Sequence, residues 1–302
     1  MKKLIFTLPL IFATFQLDAQ NSDKFTGSLL WKITGNGLEH PCYVFGTHHL
    51  AEVSFAQNYP GFQEALEGAS QVVGELLMND MSAMQNSIMM HAAMPAGTTY
   101  ASLLSEEDYR TLDEGLKAQL GAGLDQFGQM KPGMISMMLS IRAYVNAMPD
   151  LNVMGHVSAD QYVQQYAAEN GKKILGLETA EDQINALFYV SPLKEQAEDL
   201  LCTVKNPETG TKNVLKLNEL YAAGNLFGAY AMTFDDPDAP CRMSEESALA
   251  LVKNRNDKWM AQLPGIFADG PAFVAVGMLH LCGQEGILYQ LDQLGYTVEA
   301  VK

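Results

Sequence analysis

Three features of the sequence predict an α/β fold whose central mixed, largely parallel sheet is flanked by helices and carries a helical cap insertion. Short apolar runs bounded by turn residues alternate with helical patterns at both ends of the chain. Two of those runs end alike. Tyr43–Leu50 (Tyr-Val-Phe-Gly-Thr-His-His-Leu) and Phe273–Leu281 (Phe-Val-Ala-Val-Gly-Met-Leu-His-Leu) both lead into Gly-x-x-His-Leu, ending at His49 and His280. Between them, residues 81–148 read as helices without a strand pattern, a cap lying over the sheet.

In chain order, Met1–Ala19 is excluded from the fold as a signal peptide. Lys2 and Lys3 precede an apolar run, Leu4–Phe15, that is too short to span a bilayer, and Ala19 offers a cleavage site before Gln20. The mature protein is thus expected to be exported, periplasmic or secreted, with no transmembrane segment. Leu29–Ile33 and Cys42–Phe45 flank the turn signals Gly35-Asn36-Gly37 and read as a hairpin. Pro60–Ala69 is a short helix, and Gln71–Leu77 a buried strand interrupted by Glu75. A carboxylate inside an apolar run needs a partner, because an isolated buried charge is too costly. Six methionines between Met78 and Met94, with more from Met130 to Met138, suit loosely packed helical core, or else an adaptable apolar groove or copper(I) site.

Ser105-Glu106-Glu107-Asp108 caps a helix to about Leu120, and Lys131-Pro132 opens another that runs to about Met148. Ser158-x-x-Gln161 caps a helix through Asn170. Lys173–Leu177 then repeats the pattern seen at Glu75, a short apolar strand ending in a carboxylate, Glu178. Helices are expected over Ala180–Val190 and Pro192–Val204, a turn at Asn206–Gly210, and a loop over Phe234–Cys241. One helix is expected from Ser244 to Leu263, with Leu249, Val252, Asn256, Trp259 and Leu263 on its buried face and Arg255 at its edge. A helix over Gly283–Leu294 and a strand over Tyr296–Val301 close the chain.

The 302 residues, 48% apolar, are enough for one large α/β domain. Without Lys2, Lys3 and Asp18, which carry a net +1, the formal charge of −16 becomes −17. That excludes a nucleic-acid partner, whose binding rests on neutralising phosphates, and leaves a peptide or small-molecule substrate. In an oxidising compartment Cys202 and Cys241, in polar, turn-rich sequence, are candidates for a disulfide. Cys282 reads as a small buried residue, with a soft metal ligand as the alternative.

His49, Glu75, Glu178 and His280 each follow or end an apolar strand, and open α/β sheets bind ligands beyond the carboxyl ends of their strands. Two imidazoles with one or two carboxylates can hold a divalent transition metal that acidifies a water. His49, Glu75 and His280 are the candidate ligands, with His48 as the alternative to His49, and Glu75, Glu178 and Arg255 the candidate catalytic groups. His40, His91 and His156 read as surface or loop residues.

The ordered set Gly46-Thr47-His48-His49-Leu50, Val73-Gly74-Glu75, Gly176-Leu177-Glu178-Thr179 with Gln183, Asn254-Arg255-Asn256 with Trp259, and Val276–Leu281 leading to Gly295-Tyr296-Thr297-Val298 resembles the TraB/GumN family over nearly the whole mature chain. That family is similar to the Tiki metalloproteases and related in fold to erythromycin esterase and the haem-binding ChaN proteins. The resemblance implies a metal-dependent hydrolase, a peptidase using Mn, Co or Zn on His49, Glu75 and His280. The competing readings are a metal-free esterase-like hydrolase with a histidine base and a non-catalytic haem- or metal-binding protein.

Overall fold

The computed structural model describes residues 24–78, 81–151, 155 and 157–302. The signal-peptide stretch Met1–Ala19 and His156 therefore lie outside the described residues. Six strands, β1 Leu30–Gly35, β2 Cys42–Thr47, β3 Gln71–Gly74, β4 Lys173–Gly176, β5 Ala272–Gly277 and β6 Tyr296–Ala300, form one sheet in the order β4-β3-β5-β2-β1-β6. The four strands β4, β3, β5 and β2 run parallel, while β1 is antiparallel to both β2 and β6. The sheet is mixed and largely parallel, as the sequence predicts. The β1–β2 hairpin turns through Gly35, Asn36 and Gly37, all at positive φ, where two glycines and an asparagine meet least steric resistance.

Every residue of β3, and Ala272–Val276 of β5, is buried. Such apolar runs are the mark of strands covered on both faces. The main core joins Val44, Phe45, Phe62, Phe273, Trp259 and Leu288 across the sheet. A second core lies in the helical layer, where Leu112, Leu116, Ile135 and Leu139 meet Ala197, Leu200 and Val204. The helices between β3 and β4 thus pack with one that follows β4, Leu193–Lys205. No helix among the described residues is long and apolar enough to cross a membrane.

Several local expectations are corrected. The turn expected at Asn206–Gly210 is the first turn of a helix, Pro207–Ala222. Pro207 occupies its first position, where a missing N–H costs nothing. Gly210 lets this helix approach Pro132–Ala147, since a Cβ there would stand 3.1 Å from Ala143 Cβ. The single helix expected from Ser244 to Leu263 is three, Glu245–Leu251, Lys253–Met260 and Leu263–Ala268, and Leu249 is exposed rather than buried. Val252, with φ −119° and ψ −71°, makes the first break. The loop expected from Phe234 begins inside a π-helical turn, Ala231–Asp235. The two motif carboxylates lie just beyond their strands, which end at Gly74 and Gly176. Cys202 and Cys241 form the disulfide, and Cys42 and Cys282 are free and buried.

Candidate active site

The parallel strands bring the four predicted strand-end residues to one edge of the sheet. β2 and β5 are neighbours, with Gly46 opposite Val276 and Thr47 opposite Gly277, so the two Gly-x-x-His motifs leave the sheet side by side. β3 pairs with β5 on the other side and delivers Glu75; β4 pairs with β3 and delivers Glu178. Both motif glycines are required by close approach. A Cβ on Gly46 would lie 3.0 Å from Met278 Cβ. A Cβ on Gly277 would lie 3.2 Å from Glu75 Oε1, 3.6 Å from His280 Cδ2 and 3.7 Å from His49 Nε2. Glu75 and both histidines therefore surround one point above Gly277.

Each imidazole is held at Nδ1. Asp160, in the first turn of the helix Ala159–Glu169, accepts from His49 Nδ1–H at 2.9 Å through one oxygen and from the Thr47 hydroxyl at 2.8 Å through the other. Asn256 donates its amide to the carbonyls of His280 and Glu285, so its Oδ1 accepts from His280 Nδ1–H at 2.7 Å. These networks assign the tautomers. They leave Nε2 of each ring unprotonated; that of His49 has no hydrogen-bond partner among the described residues, and that of His280 accepts from Arg255. The Trp259 indole lies against the His280 ring at 4.4 Å between centroids.

Arg255 binds the remaining groups together. Its Nε donates to Glu178 Oε2 (2.9 Å), Nη2 to Glu178 Oε1 (2.7 Å) and Glu75 Oε2 (2.5 Å), and Nη1 to the Leu251 carbonyl (3.1 Å) and His280 Nε2 (2.9 Å). All five guanidinium N–H bonds are thereby engaged. Glu75 also accepts the Gly277 N–H at 2.7 Å, and Trp259 donates to Glu178 at 3.3 Å. The carboxylate that the sequence requires to be paired is paired.

The charges follow from this geometry. Burial resists ionisation of Glu75, but the imidazoles of His280 and His49, the Arg255 cation and the Gly277 N–H hold its pKa down to about 2. Burial drives the His280 pKa to about 3, so this ring is neutral near pH 7. The Asp160 carboxylate raises His49 to about 9 against the effect of burial. Its side chain is nevertheless 61% exposed, so water screens part of that attraction.

His48 points elsewhere, its ring packed between Tyr144 and Tyr221 with Nδ1 accepting the Leu50 N–H. Its Nε2 is buried without a partner among the described residues, and burial lowers its pKa to about 4. His48 and His280 thus bind protons less readily folded than unfolded, so their contribution to stability is present above pH 6.5 and lost as pH falls through the folded values. The urea midpoint is expected to fall between pH 6.5 and 4 with a slope approaching two protons, and His48→Phe to remove about one. A flat profile over that window would contradict the neutral buried rings.

A cavity of about 350 Å³ opens over His49, Glu75, Arg255, Gly277 and His280, walled by apolar groups including Leu217, Phe234, Met243 and Leu251. Glu178 does not line it, and both of its oxygens face Arg255. Its place is that of a clamp on the guanidinium. Asp160 was not among the sequence candidates, and the signal that could have found it is a carboxylate placed by the Ser158–Gln161 capping box at a helix start.

The TraB/PrgY/gumN family model matches residues 29–300. The chain belongs to this family. Comparisons with curated proteins and with solved structures return no match. The family match spans all four motif strands, so the residues assembled at the sheet edge are the same ordered set that carries the resemblance.

As the side chains stand, they do not fit the divalent ion that the resemblance implies. The Arg255 guanidinium already sits on His280 Nε2 and Glu75 Oε2, and among the described residues no three His, Cys, Asp or Glu side chains are disposed to hold a metal.

Proposed function

We propose that the chain is a hydrolase whose acid–base group is His49, oriented by Asp160 and set above a fixed charge network of Glu75, Arg255, Glu178 and His280. One observation carries this reading. His49 Nδ1 is committed to a buried carboxylate while Nε2, free of hydrogen bonds to the described residues, borders the cavity. A carboxylate on Nδ1–H fixes the tautomer and stabilises the imidazolium formed when Nε2 takes a proton. In its neutral form His49 can take a proton from an attacking water, and as imidazolium it can return one to the leaving group. Arg255, with every N–H engaged, has none to give to a substrate and acts as a positioning residue. It fixes Glu75 and His280 beneath the reacting groups and keeps positive charge near the developing oxyanion. The near-complete burial of Glu75 and Glu178 strengthens their pairing with Arg255.

A second reading is favoured by a specific observation: both imidazoles are held at Nδ1, which leaves both Nε2 atoms unprotonated, as in metal-ligating histidines, although that of His280 accepts from Arg255. In it, His49, Glu75 and His280 would hold a divalent Mn, Co or Zn ion, which requires Arg255 to give up His280 Nε2 and Glu75 Oε2, where it sits in this structure. Bound there, the ion would supply an acidified water. Metal analysis of the purified protein and turnover of fluorogenic peptides and nitrophenyl esters, with and without chelator, separate the two. The first reading expects turnover unchanged by chelation; turnover lost to chelator and restored by one of these ions establishes the second.

A further inference from the structure

Residues 231–251 cover the candidate site almost without joining the core. The segment begins with the π-helical turn Ala231–Asp235, crosses an irregular stretch and ends in the helix Glu245–Leu251. Thr233, Phe234, Met243 and Leu251 wall the cavity of about 350 Å³ over His49, Glu75 and His280. Yet none of its residues is buried, and Met232 alone among them packs against the main core. Among the described residues, side-chain hydrogen bonds from the rest of the chain reach it only at its last residue, where Leu251 accepts from Arg255, and at Cys241. Asp235, Asp236, Asp238, Glu245 and Glu246 against Arg242 give it a net charge of −4, and none of the six has an ion-pair partner among the described residues. In a chain of formal charge −16, that repulsion favours lifting the segment away. One covalent bond opposes it. Cys241, ten residues from either end of the segment, is joined to Cys202 in the helix Leu193–Lys205. Ala197, Leu200 and Val204 set that helix in the second core, so the anchor is firm where the segment is not.

We propose that residues 231–251 are a redox-controlled lid, closed over the site while Cys202 and Cys241 are bonded and released when a dithiol reduces them. Both cysteines are half-buried, within reach of a small reductant. One thiolate of the dithiol attacks a sulfur of the pair and breaks the S–S bond; its second thiol then resolves the mixed disulfide. Cys202 and Cys241 leave as two thiols, and the reductant, having given two electrons, closes to a cyclic disulfide. A segment with so little buried surface is drawn from the low-stability end of the fold, and its bridge supplies the restraint that packing does not. Release takes the Thr233, Phe234 and Met243 wall away from the cavity, whichever chemistry the site performs. Cys42 and Cys282, free and buried, take no part.

The test is hydrogen exchange read by mass spectrometry on the full chain, oxidised and after treatment with dithiothreitol. Reduction is expected to speed exchange over residues 231–251 by about tenfold or more while β2, β3 and β5 keep their protection. Trypsin should cut after the exposed Arg242 faster by about the same factor. Phe234→Trp puts a reporter in the wall, and its fluorescence, taken as the difference from the parent, should become more open to acrylamide quenching on reduction. The paired variant Cys202→Ser/Cys241→Ser should exchange like the reduced parent and ignore dithiothreitol; the parent, folded with its bridge in place and then reduced, carries the test if that variant does not fold. Exchange over 231–251 or quenching at position 234 that reduction leaves unchanged would show the segment held without the bridge and overturn the lid. A rise spread evenly across the sheet would make the bridge a brace of the whole fold, and a bridge that dithiothreitol reduces only in urea would remove the control; either result overturns the proposal.

Discussion

Replacing Arg255 by methionine is expected to destabilise the protein by about 3–5 kcal/mol, the largest effect of any single substitution at the site, because removing one partner of a buried ion pair leaves uncompensated charge. The Glu75 and Glu178 side chains are 8% and 2% exposed, and both depend on this guanidinium. A lysine cannot reproduce its two-pronged contact with Glu178, so Arg255→Lys should recover only part of the loss. Adding Glu178→Gln to Arg255→Met should restore stability relative to the single variant, since it removes one of the stranded carboxylates. Urea unfolding of the parent, Arg255→Met, Glu178→Gln and the double variant measures this coupling. A single Arg255→Met variant within about 1 kcal/mol of the parent, the cost of an ordinary surface ion pair, would show the network to be dispensable.

His49→Ala is expected to do the reverse, reducing kcat/KM by about 10²–10⁴ with little effect on folding. The ring is largely exposed, and Asp160 keeps the Thr47 hydroxyl as a partner when His49 is gone. Asp160→Asn should also lower turnover while leaving the His49 side chain in place, because the amide can present its N–H to the ring and favour the wrong tautomer. Comparable losses in both variants and in the double variant would mark the pair as one unit. Additive losses would assign the two residues separate roles.

The parts of the site that were legible in the sequence are those carried by local pattern. An apolar run that stops at a glycine before His49, and again before His280, marks a strand delivering a side chain at its end, and Glu75 and Glu178 follow the same rule. Their convergence needed the parallel pairing of β2 with β5, which a repeated motif suggests but contacts at a separation of more than 200 residues must realise. Asp160 was illegible because an aspartate in a first helical turn is ordinary; only the tertiary fold buries it and aims it at a histidine 111 residues earlier in the chain. Asn256 reads as one polar interruption of an apolar helical face, and nothing local shows that it holds His280. The helix Pro207–Ala222 was hidden by Pro-Glu-Thr-Gly, which spells a turn, and the break at Val252 has no glycine or proline to announce it. That break matters to the site, because it separates the helix carrying Arg255 from the preceding one and frees the Leu251 carbonyl to accept a guanidinium N–H.

The central claim is that His49, raised in pKa by Asp160, is the group whose proton moves. The pH dependence of kcat/KM, measured on chelator-treated protein and on its Asp160→Asn variant, tests it most directly. Activity should persist in chelator and climb with pH from about 6.5 toward the raised His49 value near 9 as the free base forms, and the rising limb should move to lower pH in Asp160→Asn while its plateau drops. A profile that keeps the same midpoint in both proteins, or activity that disappears with the chelator, would contradict it.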